Sequence, residues 1–215
     1  MKKFETDLNN LVDQTASMGD LVTSLLDKSL NALCEQNYSN ANEVIEEYRK
    51  VDDFDNSIEE AALQILLLYQ PTAIDMRIVA TILKDITYME RIGKYSNNIA
   101  KAALYLKDRE VVDHMEGIPE MGKIASEMVR MVTRAIKTRD ISKFGELRSM
   151  DDKLDRYMLK IVDNNVAIMH EYPFTVDSCT YYISVSKYLE RVGDHACKIA
   201  EKVTYMVTGE RVNID

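Results

Sequence analysis

The sequence predicts an all-α fold of two tandem antiparallel three-helix bundles related by internal duplication. Three observations predict it. Only 7 Gly and 3 Pro punctuate 215 residues rich in the helix formers Ala, Leu, Met, Glu and Lys, too little punctuation for a sheet-rich fold. The two halves align: Met18-Gly19 with Met121-Gly122 and Val51-Asp52 with Leu154-Asp155, both 103 positions apart, then Met89 to Gly93 with Leu189 to Gly193, 100 apart. Finally, Val185, Leu189, Val192, Ala196, Ile199, Val203 and Met206 recur at steps of four and three, the apolar seam of a bundle helix.

Each element has its own signal. A first helix over 4–36 ends at Asn37-Tyr38-Ser39, whose side chains suit a cap, and a second runs over 39–69. Pro71 breaks the chain before a third helix over 73–108, whose seam keeps Met89, Ile92, Ile99 and Leu106. The stretch His114 to Pro119 carries both Gly and Pro and reads as the connection between copies, with the boundary near residue 112 and repeats of 1–112 and 113–215. The second copy repeats the plan with helices over 116–138, 142–170 and 175–208. Asp140-Ile141-Ser142 answers Asn37-Tyr38-Ser39, and Pro173 answers Pro71. Gly93 and Gly193 fall inside the third and sixth helices, where glycine costs about 1 kcal/mol relative to alanine, so close helix packing is expected at both.

Charge and cysteine usage exclude several classes. With 27 Lys and Arg against 36 Asp and Glu, the net charge of −9 repels a phosphate backbone, so nucleic acid is not expected as a partner. Cys34, Cys179 and Cys197 are far apart and form no Cys-x-x-Cys pair, as expected of buried small hydrophobes in a reducing compartment. No apolar run reaches spanning length and no leader follows Met1-Lys2-Lys3, so a cytoplasmic location is expected.

The residues suited to chemistry are carboxylates. Asp151 and Asp155 in the fifth helix are four apart, as are Glu190 and Asp194 in the sixth, so each pair shares a helical face. Like charges at that spacing destabilise an exposed helix by a few tenths of a kcal/mol, and a cation held between the two helices would offset the repulsion. Oxygen donors suit hard or intermediate cations, and no thiolate cluster favours tetrahedral zinc. Against this stands a plain reading, an acidic face left in water. His195 adjoins Asp194 but lies five residues from Glu190, outside the Glu-x-x-His pattern of di-iron bundles, so at most it supports a ligand. No Ser-His-acid set, glycine loop or dinucleotide fingerprint is present. Arg91 and Arg191 are expected to pair within the molecule or face water.

The segments Glu90-Arg91-Ile92-Gly93 and Glu190-Arg191-Val192-Gly193-Asp194-His195-Ala196, with Gln70-Pro71-Thr72-Ala73-Ile74-Asp75-Met76-Arg77 upstream, resemble the signatures of the PhoU family of phosphate-uptake regulators over the whole chain. The resemblance implies a metal-binding regulator of phosphate uptake and phosphate-starvation signalling without catalytic activity. Its partners would be the cytoplasmic ATPase subunit of a phosphate ABC transporter, a phosphate-sensing histidine kinase and a second copy in a homodimer, with the membrane reached only through them. The implied cofactor is one or more divalent or trivalent metal ions, with iron, manganese, magnesium and zinc left open. The family's acid-x-x-x-acid motif lands on Asp151, Asp155, Glu190 and Asp194. In the first copy the matching positions hold Tyr48, Asp52, Glu90 and Lys94, a degenerate site with two acids lost. Lys94, four residues after Glu90, is expected to pair with it and supply an internal cation. Lys198 stands where the family has asparagine, matched by Asn98, and Glu201 is a candidate outer ligand. The rival functions are a carboxylate–metal phosphohydrolase and a plain helical scaffold.

Overall fold

A computed structural model describes residues 2–107, 109 and 115–214, and every regular element among them is helical. The boundary expected near residue 112 lies outside the described residues. The first copy comprises α1 (Lys2–Cys34), α2 (Tyr38–Glu47), α3 (Arg49–Tyr69) and α4 (Ala73–Leu106). The second comprises α5 (Ile118–Thr138), α6 (Leu147–Glu171) and α7 (Val176–Thr208).

Four of the six expected helices run unbroken, while the stretch over 142–170 is α-helical only from Leu147 and that over 39–69 is interrupted at Tyr48. There the backbone stays right-handed (φ −54°, ψ −31°) and α3 continues almost directly from α2. The Tyr48 hydroxyl donates to Glu90 Oε1 at 3.1 Å, tying this joint to α4. The second copy runs straight through the matching position, Asp151, but begins α6 later, after a 3₁₀ turn at Phe144–Glu146. Helix ends follow local chemistry. Gln70 and Arg139 close α3 and α5 in the left-handed region, and Gly209 closes α7 there at φ 79°, a conformation that costs glycine little.

The two bundles share one apolar core, which draws buried residues from all seven helices. Met18, Val22, Leu25 and Leu26 of α1 are fully buried, as are Val185, Leu189, Val192 and Ile199 of α7. Each such side chain contributes about 1.5–3 kcal/mol by leaving water. Across the centre α1 packs on α5 and α4 on α7. Both pairs are antiparallel: Asp13 meets Lys137 while Leu30 meets Gly122, and Tyr88 stacks on His195 while Tyr105 stacks on Tyr181.

The duplication therefore acts as a two-fold operation. Gly19 faces Thr133, and the residues 103 positions from them, Gly122 and Leu30, face each other in turn. Likewise Tyr95–Tyr188 is the counterpart of Tyr88–His195 under the 100-residue offset. Among the described residues no helix is long and apolar enough to cross a membrane. Cys179 and Cys197 are buried and Cys34 half-buried, all three as free thiols.

Candidate metal centre

Helices α6 and α7 are drawn together at Gly193. A Cβ there would overlap Leu154 Cδ1 and lie 3.2 Å from Asp151 Oδ1, so the missing side chain lets Asp151 of α6 stand against α7. Gly93 has the same role more loosely, since its Cβ would meet both Val51 methyls at 3.3 Å. Gly193→Ala should therefore lower unfolding free energy by roughly 1–3 kcal/mol through overpacking. Gly93→Ala should be nearly neutral, its mild crowding offset by a helix-propensity gain of about 1 kcal/mol. Paired denaturant titrations of the two variants check this; equal losses would mean that the α6–α7 approach is no closer than α3–α4.

The four acids of the second copy share this seam. Asp151 is half-buried and Asp155 exposed on α6, while Glu190 and Asp194 are half-buried on α7. Burial and then the neighbouring Asp194 push the Glu190 carboxyl above the ordinary carboxylate range; Asp155 adds to this, and Arg191 opposes it. Glu190 Oε2 is buried without a hydrogen-bond donor among the described residues. Arg191 supplies the local positive charge: its Nη1 donates to Asp194 Oδ2 at 2.8 Å and its Nε lies 3.4 Å from Glu190 Oε2. The expectation of an intramolecular role for Arg191 thus holds. Among the described residues no three His, Cys, Asp or Glu side chains are gathered closely enough to hold a metal ion. The oxygen donors and the mutual repulsion of the acids are nevertheless what a cation would relieve, and in this structure Arg191 supplies the positive charge beside them.

The first copy is arranged differently. Glu90 accepts the Tyr48 hydroxyl, and burial together with Glu90 pushes that phenol up to about 12. Lys94, expected to pair with Glu90, forms no ion pair with it among the described residues; it is exposed, and Tyr48 takes the carboxylate instead. Asp52, the other remaining acid, is exposed at the first turn of α3.

Glu201 is not brought to the acids. Its Oε1 accepts the Ile214 amide at 3.2 Å and pairs with Lys198 Nζ at 3.2 Å. Eleven residues carry it ~16 Å along the helix from Glu190, beyond the reach of a carboxylate. His195 also turns away from the acids, into α4. It stacks on Tyr88 and Tyr95 at centroid distances of 5.6 and 5.8 Å, and burial, with Arg91 and Arg191 nearby, lowers its pKa to about 4. Two features escaped the sequence reading. One is this aromatic cluster at the pseudo-two-fold axis, whose signal was the matching of Tyr88 with Tyr188 and Tyr95 with His195. The other is Asp85, fully buried on α4, whose signal was its match, 100 positions on, with the seam residue Val185.

Comparison with known proteins agrees with this architecture. The domain family described as the PhoU domain matches residues 15–103 and 118–203, one match per copy. A relative from Zymomonas mobilis, named phosphate-specific transport system accessory protein PhoU homolog, is 31% identical and aligns over 99% of this chain and 90% of its own. One of the same name from Clostridium acetobutylicum is 30% identical over 100% of this chain and 98% of its own. The crystal structure of PhoU from Pseudomonas aeruginosa superposes with a TM-score of 0.92 at 27% identity, covering 96% of this chain and 100% of that one. The phosphate transport system regulatory protein PhoU from Streptococcus pneumoniae gives a TM-score of 0.88 at 27% identity, covering 98% and 99%. With both copies matched and relatives aligned over nearly their full length, the chain belongs to the PhoU family.

Proposed function

We propose that this protein is a metal-binding regulator of phosphate uptake and of the phosphate-starvation response, acting by contact with other proteins. The Asp151 carboxylate standing against Gly193, with the Asp194 and Asp155 charges felt at Glu190, supports the metal part of this reading. The names of the full-length relatives, accessory proteins of a phosphate-specific transport system, support the rest. Asp151, Asp155, Glu190 and Asp194 would hold the cation, with iron, manganese, magnesium and zinc as candidates. Bound there, the ion would supply positive charge that locks α6 to α7. Arg191 would then release Asp194 and turn to solvent.

The partners under this reading are the cytoplasmic ATPase subunit of a phosphate importer and a phosphate-sensing histidine kinase. A homodimer in the cytoplasm is the proposed assembly. The net charge of −9 favours basic partner surfaces and predicts contacts that weaken with salt. Binding of the purified importer ATPase, followed by interferometry across a salt series, tests this. It should weaken as ionic strength rises toward the point where the screening length is about 8 Å. No binding at low salt, together with phosphoester hydrolysis lost in Asp194→Ala, would replace the regulator with a metalloenzyme.

A further inference from the structure

Because α4 and α7 run antiparallel, their outer face carries two grooves, of about 350 and 370 Å³, related by the 100-residue offset. Thr81, Lys84, Lys202 and Tyr205 line one, together with Glu201 and the tail residues Arg211 and Val212. Asn98, Lys101, Tyr105, Tyr181, Ser184 and Tyr188 line the other. Both lie on the α4 side of α7, whereas the metal-site acids face α6.

The first groove shows what the shape accepts. The chain leaves α7 at Gly209 and continues as a non-helical segment whose Val212 forms part of the wall. Its Ile214 packs on the core, and the Ile214 amide donates to the buried Glu201 carboxylate. Arg211 lies over the Tyr205 ring, 5.7 Å from its centroid. A short non-helical segment is thus held by one aliphatic anchor, one aromatic contact and one polar contact to position 201.

The second groove keeps the aromatic wall and inverts the polar contact. Tyr105 and Tyr181 stack at 4.1 Å, and Tyr188 extends the wall to Tyr95 at 5.7 Å. Position 201 is matched by Lys101, which is exposed and makes no ion pair among the described residues. Among the described residues no acid lines this groove. Tyrosine beside an exposed cation is the composition of an interface anchor, where rings give area at small entropic cost.

We infer that the groove of Lys101, Tyr105, Tyr181 and Tyr188 docks a short extended segment of a partner protein, one that presents a carboxylate to Lys101 and an aliphatic side chain to the tyrosines. A second copy's tail matches less well, because the Ile214 amide that donates to Glu201 would meet another donor in Lys101.

The test uses the full-length protein and a fluorescein-labelled, end-capped peptide, Asp-Val-Glu-Ile-Asp, followed by anisotropy. One peptide should bind per chain, and the charge-reversed Lys-Val-Lys-Ile-Lys should not bind. Lys101→Glu, at an exposed site that leaves the fold intact, should weaken binding at least about tenfold, while Lys84→Glu in the tail-lined groove should leave it unchanged. Failure to bind up to about 1 mM, or indifference to Lys101→Glu, overturns the inference. A peptide of the chain's own tail binding as tightly would assign the groove to a second copy. Tighter binding to the Glu110→Gln, Asp113→Asn chain would assign it to the chain's own connection. Either result also overturns the partner assignment.

Discussion

Replacing Asp155 and Asp194 together by Ala should reduce bound metal from a stoichiometric level to near background while the helical content stays unchanged. The two acids come from different helices, so the double variant takes a donor from each side of the seam. Neither acid is part of the shared core: Asp155 is exposed and Asp194 half-buried. In the metal-free state their loss also relieves the field that, after burial itself, holds Glu190 above its ordinary range. The thermal midpoint of the apo protein should therefore hold or rise. The midpoint of the metal-loaded protein should fall, because a ligand that binds only the native state stabilises it by mass action. Elemental analysis and circular dichroism on the same samples check both halves. An unfolded variant would mean that these acids are structural, and retained metal would move the site elsewhere.

The second large effect is at Asp85. This carboxyl is fully buried on α4, neither of its oxygens has a hydrogen-bond partner among the described residues, and burial pushes its pKa well above the ordinary value. Lys202 on α7 opposes the shift only in part. The folded state therefore holds the Asp85 proton to higher pH than the unfolded state does. The stability this supplies is fully present below about pH 3.8 and is lost as pH rises from there through the raised folded value. The matching residue of the second copy, Val185, is fully buried, which shows that this helical position takes a β-branched aliphatic side chain. Asp85→Val should stabilise the protein at pH 7 by roughly 1–3 kcal/mol, the usual cost of a buried polar group without a partner. The gain over wild type should shrink as pH falls. Urea titrations of both proteins between pH 4 and pH 8 would give the two curves. A variant less stable at pH 7, or a constant gap at all pH values, would show that Asp85 is satisfied within the fold.

Much of this was legible in the sequence because duplication and periodicity are properties of the chain itself. The seam of Val185, Leu189 and Val192 marked the buried face of α7, and the glycines at 93 and 193 marked the close approaches. What escaped was set by packing between helices. Lys94 has the right spacing to pair with Glu90 along α4, but the Tyr48 hydroxyl approaches from the neighbouring helix and takes the carboxylate. Glu201 shares a helical face with Glu190, yet helical rise carries it toward the tail, where Ile214 and Lys198 hold it. His195 adjoins the candidate ligand Asp194 in sequence, but one residue turns a helix by about 100°, and that rotation puts the imidazole among the α4 tyrosines. Asp85 differs again: within α4 alone a single acid in an amphipathic pattern looks like any surface charge, and only its repeat match with the seam residue Val185 marks it as buried.

The proposed asymmetry between copies is that the acids of α6 and α7 would hold a cation, whereas the Tyr48–Glu90 pairing would leave the first copy without one. Anomalous difference maps from crystals soaked in manganese or iron test it directly, with data collected on both sides of the metal's absorption edge. Density is expected between α6 and α7, against Asp151, Asp155, Glu190 and Asp194, and none between α3 and α4. Peaks of equal height in both copies, or a peak confined to Asp52 and Glu90, would contradict it.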